Sequence, residues 1–151
     1  MFIKKIVALL AFGVSILGCE NAMPNKEKIL KPGPVTIFQV ASQPTEPAER
    51  KVGILYKNGF AVTGTASFSA EQSDGLRKAL ASPKNYNTKD TKRCIFTPSY
   101  YLQLDTAMGL LLAKEPCSKI LFTHNGKDTI MDLLNNNSIE KVLAEMWKPK
   151  E

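Results

Sequence analysis

SKILFTH-NG-KDTIMDL, residues 118–133, is two runs of strand character joined by Asn125-Gly126. Asn-Gly suits a type I′ turn, in which both central residues need positive φ. A two-residue loop fixes the register, and side chains alternate between faces with period two. The register predicts Leu121 opposite Ile130, Ile120 opposite Met131 and Lys119 opposite Asp132. Apolar residues meet apolar residues, and the two opposite charges meet each other. That agreement makes a β-hairpin the seed of the fold.

Working outward, a second Asn-Gly, Asn58-Gly59, predicts that Lys51–Lys57 (KVGILYK) pairs with Phe60–Phe68 (FAVTGTASF). Its register places Leu55 opposite Val62 and Ile54 opposite Thr63. Residues 99–104 (SYYLQL) and 107–114 read as a third hairpin turning at Asp105-Thr106. Two helices complete the pattern. Ser69 and Gln72 form a capping box ahead of Ala70–Ala81, with Leu76, Ala79 and Leu80 on one face and Pro83 as the stop. Near the C-terminus, Ser138 is the expected cap. Ile139, Val142, Leu143 and Met146 follow at helical spacing with Trp147 at the edge. Lys84–Arg93 reads as a polar loop, and Asn135–Asn137 as the loop before the last helix. The expected class is α+β: an antiparallel sheet built from hairpins with one or two helices packed on one face.

The N-terminal third is different in kind. Lys4 and Lys5 precede Ile6–Leu17, an uncharged apolar run too short to span a bilayer, which takes about 20 residues. Ile16-Leu17-Gly18-Cys19 follows at once. This resembles the bacterial lipobox, with a small residue before the cysteine and an aliphatic residue three before it. The resemblance implies a signal peptide over 1–18, a diacylglyceryl thioether on Cys19 and a further acyl (palmitoyl-type) chain on the amine freed by cleavage. Two or more chains anchor a protein stably where one does not. The chain is thus expected to be a lipid-anchored envelope protein facing the periplasm. Glu20 after the cysteine, where Asp favours inner-membrane retention, leans toward the outer membrane. Residues 19–50 hold five of the nine prolines and read as a tether, with Val35–Val40 as a possible short strand. The globular domain is expected over 51–148.

Two cysteines remain, Cys94 and Cys117. In an oxidising compartment they are expected to pair as a structural disulfide, clipping the end of the 99–114 hairpin outside the regular ladder because Pro98 and Pro116 lack ladder donors. A redox pair or metal ligation is the alternative, but there is no CxxC, and two Cys with one His suit zinc poorly. The run Lys92-Arg93-Cys94-x-Phe96-x-Pro98, followed by Cys117-x-x-Ile120-x-Phe122, is similar to a pattern in small exported bacterial proteins. That resemblance implies a shared small fold and no activity.

Catalytic signatures are missing from the sequence: no GxSxG, HExxH or phosphate-binding glycine loop. His124 flanks a turn and reads as a solvated hairpin residue. Asp105, Asp128 and Asp132 lack calcium-loop spacing. No cofactor or metal is expected. The 20 basic and 14 acidic residues fall to 18 and 14 once Lys4 and Lys5 leave with the signal, and the basic ones are scattered, which argues against nucleic acid. Tyr100, Tyr101 and Trp147 are the candidate partner contacts. The expected function is a non-enzymatic protein-binding module of the envelope, of immunity, inhibitor or accessory type. The alternatives are a small enzyme or ligand binder using His124, Tyr100 or Asp105 on envelope material, and a spacer against peptidoglycan.

Overall fold

In chain order the elements are α1 (Lys26–Leu30), β1 (Val35–Pro44), β2 (Tyr56–Lys57), β3 (Phe60–Phe68), α2 (Ala70–Ala81), β4 (Tyr100–Gln103), β5 (Gly109–Ala113), β6 (Lys119–His124), β7 (Lys127–Asp132) and α3 (Ser138–Met146). The computed structural model describes residues 25–89, 92–124 and 126–147. The expected signal peptide, Cys19 and Asn125 lie outside them. The strands form one antiparallel seven-stranded sheet in the order β2-β3-β1-β4-β5-β6-β7. The α+β class is as read from the sequence.

The deciding hairpin stands in the expected register. Lys119 faces Asp132, Ile120 faces Met131 and Leu121 faces Ile130. Gly126 takes φ 72°, the left-handed region that a type I′ turn needs. Helix α2 also starts as expected: Gln72 N–H donates to Ser69 Oγ, and Ser69 N–H donates to Gln72 Oε1. Its buried face carries Leu76, Ala79 and Leu80.

Four expectations give way. First, the fold begins well before residue 51. β1 is an interior strand, paired with β3 on one side and β4 on the other. Val35 and Ile37 are fully buried, and α1 adds Ile29 to the same core. Prolines bound this strand rather than mark a linker: Pro34 precedes it and Pro44 ends it. Second, the Asn58-Gly59 hairpin is short. Lys57 faces Phe60, Tyr56 faces Ala61, and Val62 N–H still reaches the Leu55 carbonyl. Before Leu55 the chain turns at Gly53 (φ 85°), and Ile54 N–H goes to the Lys51 carbonyl instead of to Thr63. Third, the β4–β5 register is slipped by one residue, Leu102 facing Leu110 and Gln103 facing Gly109. The Asp105 carboxylate accepts from Ala107 N–H (2.7 Å) and builds a three-residue loop over 105–107 that Leu104 and Met108 close. The slip puts Tyr100, Leu102, Leu110 and Leu112 together on the helix side, which a two-residue turn would have split. Fourth, Asn137 caps α3, its side chain accepting from Glu140 N–H. Ser138 is engaged by Asn85, whose amide also donates to the Ala79 carbonyl at the end of α2.

All three helices cover one sheet face, which has the main core. Leu76 and Leu80 of α2 and Ile139 and Leu143 of α3 pack over Ile37, Leu102, Leu110, Leu112, Ile120 and Phe122. Burial of each such side chain is worth roughly 1.5–3 kcal/mol. The expected polar loop after α2 contributes to this core too. Tyr86 bridges to Leu133 beside the end of β7, lies 5% exposed, and donates its hydroxyl to the Leu80 carbonyl at 2.6 Å.

Candidate functional site

The face opposite the helices carries one apolar row. Phe38, Tyr101, Leu111, Leu121 and Ile130 stand directly opposite one another across β1, β4, β5, β6 and β7. Register fixes this row, because each pairing follows from the one beside it. The row is covered unevenly. Phe38 and Leu111 are buried, with Phe60, Val62 and Phe96 packed around them. Leu121 is half-buried and Ile130 is 54% exposed. Ile95, at 85% exposure, and Leu55 are exposed on the neighbouring segments. A stripe that runs from buried to open at one sheet edge is a surface that a partner can extend.

Residues 92–98 form the strap that brings Phe96 onto this face. Cys94 and Cys117 are joined as a disulfide, Cα–Cα 6.0 Å, and both lie outside the strands. Beside it, Lys119 and Asp132 form an ion pair at 3.4 Å with both side chains nearly buried. Each also grips the backbone of Lys92. Asp132 accepts its N–H at 2.8 Å, and Lys119 donates to its carbonyl at 2.7 Å. Taking two charges out of water is costly unless hydrogen bonds offset it, and the Lys92 peptide supplies them at Lys119 Nζ and Asp132 Oδ2, while buried Asp132 Oδ1 has the ion pair alone.

The aromatic candidates separate by face. Tyr100 is 8% exposed on the helix side, its ring 5.7 Å from that of Trp147. Trp147 lies across Gly64, where a Cβ would come within 3.2 Å of its ring. Both are therefore occupied within the chain, and Tyr100 offers a partner no surface. Tyr101 is half-buried in the apolar row, 6.1 Å from Phe38. Its ring lies over Gly109, and any Cβ there would overlap it. Burial raises the Tyr101 phenol above its ordinary pKa. The Lys57 ammonium sits 4.6 Å above Phe38 and 5.7 Å from Tyr101 and donates to Gln103 Oε1 at 2.9 Å.

Two clefts flank the loop 104–108 at one end of the sheet. On the outer side, Lys57, Asn58, Tyr101, Asp105 and Thr123 line a cavity of about 240 Å³. On the helix side, Lys28, Lys31, Thr36, Arg77, Asp105 and Thr106 line one of about 380 Å³. Arg77 was not singled out from the sequence, although it flanks the apolar face of α2. It is 4% exposed and donates to four carbonyls, those of Ile29, Gly33, Pro34 and Leu104. Desolvation lowers its pKa, and the Asp105 charge opposes that shift.

His124 ends β6, where its Nε2 faces the Lys28 ammonium at 3.1 Å. Neither cleft contains His124 or Tyr100. Tyr100 faces Leu112, which faces Ile120, four positions from His124 along β6, or about 13 Å. His124, Tyr100 and Asp105 are thus not gathered into one catalytic cleft. Among the described residues no three of His, Cys, Asp and Glu cluster as metal ligands, and no helix is long and apolar enough to cross a membrane. No family model matches the chain, and no curated protein or solved structure matches it.

Proposed function

We propose that the protein is a lipid-anchored bacterial envelope lipoprotein whose domain binds a protein partner without catalysis, as an immunity, inhibitor or accessory subunit does. The observation that carries the binding reading is the row Phe38–Tyr101–Leu111–Leu121–Ile130, closed at one end and open at the β7 edge. Interface cores are rich in aromatic and aliphatic residues framed by polar ones, and this row has Lys57 at one end and Asp128 at the other. The anchoring reading rests on the lipobox residues Ile16–Cys19. In this reading the mature protein faces the periplasm, with the outer membrane favoured by Glu20. It uses no cofactor, metal or nucleic acid.

The test is affinity capture from membranes solubilised in mild detergent. The wild-type chain should retain one partner stoichiometrically. Ile130→Glu, a change at an exposed position, should lose it, whereas Lys78→Glu on the solvent side of α2 should keep it. Equal retention by Ile130→Glu would remove the row from the binding surface. An empty capture under conditions that recover a known envelope complex would count against the whole reading.

A further inference from the structure

The helix-side cleft suits a ligand of a particular chemistry. Lys28, Lys31 and Arg77 contribute three positive charges to its walls, against one carboxylate, Asp105. Lys28 and Lys31 are both exposed, and Lys28, whose Nζ meets His124 Nε2 at 3.1 Å, would exchange that contact for one with an anion. Arg77 is not free, because its guanidinium is fixed by four neutral carbonyls. Among the described residues it makes no ion pair at contact distance, and Asp105, which lines the same cleft, is the carboxylate whose charge acts on it. Thr106 adds a hydroxyl group at the wall, whereas the Thr36 hydroxyl is engaged with Ser67 Oγ at 3.3 Å. The guanidinium, its N–H groups largely engaged by carbonyls, lends fixed positive charge behind two ammonium groups and the Thr106 hydroxyl, which can donate, and this combination suits a phosphate diester.

The position of the cleft says where such a phosphate comes from. Lys28 and Lys31 belong to α1 and the turn after it, the first described segment of the fold. Only six residues separate Cys19 from Lys26. Seven fully extended steps span at most about 25 Å. A lipid on Cys19 would therefore keep this end of the domain within about 25 Å of the headgroup layer, because α1 and β1 occupy much of the tether expected over 19–50. Lys26 and Lys127 stand exposed at the same end, where β6 and β7 turn. Juxtamembrane lysines are attracted to the negative surface potential of an anionic leaflet.

We infer that the cleft between α1, the Pro32–Pro34 turn and the loop 104–108 binds the phosphate of an anionic phospholipid headgroup. The choice of lipid over a soluble anion rests on the lipoprotein reading above. Binding would orient the domain, turning the α1 end to the bilayer. The row on the outer face would then stand sideways and accessible.

The experiment is a titration of the full chain, in non-ionic detergent, with dihexanoyl phosphatidylglycerol below its micellar concentration. Dihexanoyl phosphatidylcholine and inorganic phosphate are titrated in parallel, and backbone amide shifts are followed by NMR. Phosphatidylglycerol should give saturable shifts confined to 28–36 and 103–106. The zwitterionic lipid and inorganic phosphate should bind at least about tenfold more weakly, and Lys28→Gln with Lys31→Gln should weaken phosphatidylglycerol by a similar factor. Equal response to the two lipids overturns the proposal. So does equal binding of inorganic phosphate, which would make this a soluble-anion site, and so does an unaffected double variant. The intact mass of the membrane-extracted protein is read separately. A Cys19 without acyl chains removes the anchoring reading and leaves the titration interpretable.

Discussion

Arg77 shows how much one side chain can organise. Its four carbonyl partners lie on α1, on the turn into β1 and on the end of β4. These are the segments that would otherwise leave carbonyl groups without donors beside a buried helix. Arg77→Met keeps much of the apolar stem and removes every donor. The expected loss is roughly 2–4 kcal/mol, because unsatisfied buried acceptors cost about 1–3 kcal/mol each and part of the site can admit water. Urea unfolding checks it, and a loss below about 1 kcal/mol would show that the carbonyls find other partners. Gly109 is a second single-residue constraint. Its missing Cβ makes room for the Tyr101 ring, so Gly109→Ala should displace that ring and cost about 1–3 kcal/mol as an overpacked site. Tyr101 fluorescence and the same urea titration report it. The buried phenols set a pH limit. Tyr86 and Tyr101 both have raised pKa values in the fold, from desolvation. The unfolded chain releases those protons near pH 10 and the native state retains them. The stabilising contribution is complete below that pH and is lost as pH rises through and above it. Thermal midpoints should therefore fall steeply above about pH 10, and replacing either tyrosine by Phe should flatten the fall.

Elements were legible in the sequence where local chemistry and tertiary pairing agree. The β6–β7 hairpin could be read to the residue because turn, alternation and one charge pair all select the same register. Helix α2 could be read because Ser69 and Gln72 satisfy each other locally. β1 was missed in length and role because its pairing partners are far away in the chain, and its polar C-terminal half (ASQP) resembles a linker. The β4–β5 slip was hidden in one side chain, since Asp105 bonding to Ala107 N–H adds a residue to the loop. A sharper reading would have weighed Asp105 as a loop builder and the helix-side match of Leu102 with Leu110. The strap over 92–98 was legible only at its cysteines. Its other fastening, the Lys92 peptide held by Lys119 and Asp132, needs three segments in place at once. This makes two separable contributions. Replacing both Cys94 and Cys117 by Ser should cost roughly 3 kcal/mol in the chain-entropy picture. Hydrogen exchange should then rise over 92–98 and over β5 and β6 beneath Phe96, and α2 should stay protected. Uniform loss of protection across the sheet would mean that the strap is part of the global folding unit rather than a cover.

At the scale of the whole molecule, the two faces of the sheet divide the work that the sequence assigned to the chain as a unit. The helix face holds the main core and has no room for a partner. The outer face leaves Leu121 and Ile130 open, and the α1 end gathers the lysines. Tether length decides how these surfaces meet the envelope. With only six residues between Cys19 and α1, an anchored domain lies within about 25 Å of the bilayer at full extension. Under the proposed anchoring, a partner would have to reach the protein near the membrane surface. Mass spectrometry of the membrane-extracted chain should find the N-terminus at Cys19 carrying a diacylglyceryl group and an N-acyl chain, with Cys94 and Cys117 paired. A Cys19→Ala chain should leave the membrane fraction or retain residues 1–18. Inserting about 20 Gly/Ser residues after Asn21 adds a flexible span with a root-mean-square length near 25 Å. That insertion should leave stability and partner capture in detergent unchanged, and should lower amine-labelling protection of Lys28 and Lys31 in phosphatidylglycerol nanodiscs. Unchanged protection would mean that the lysines are shielded by something other than proximity to the bilayer.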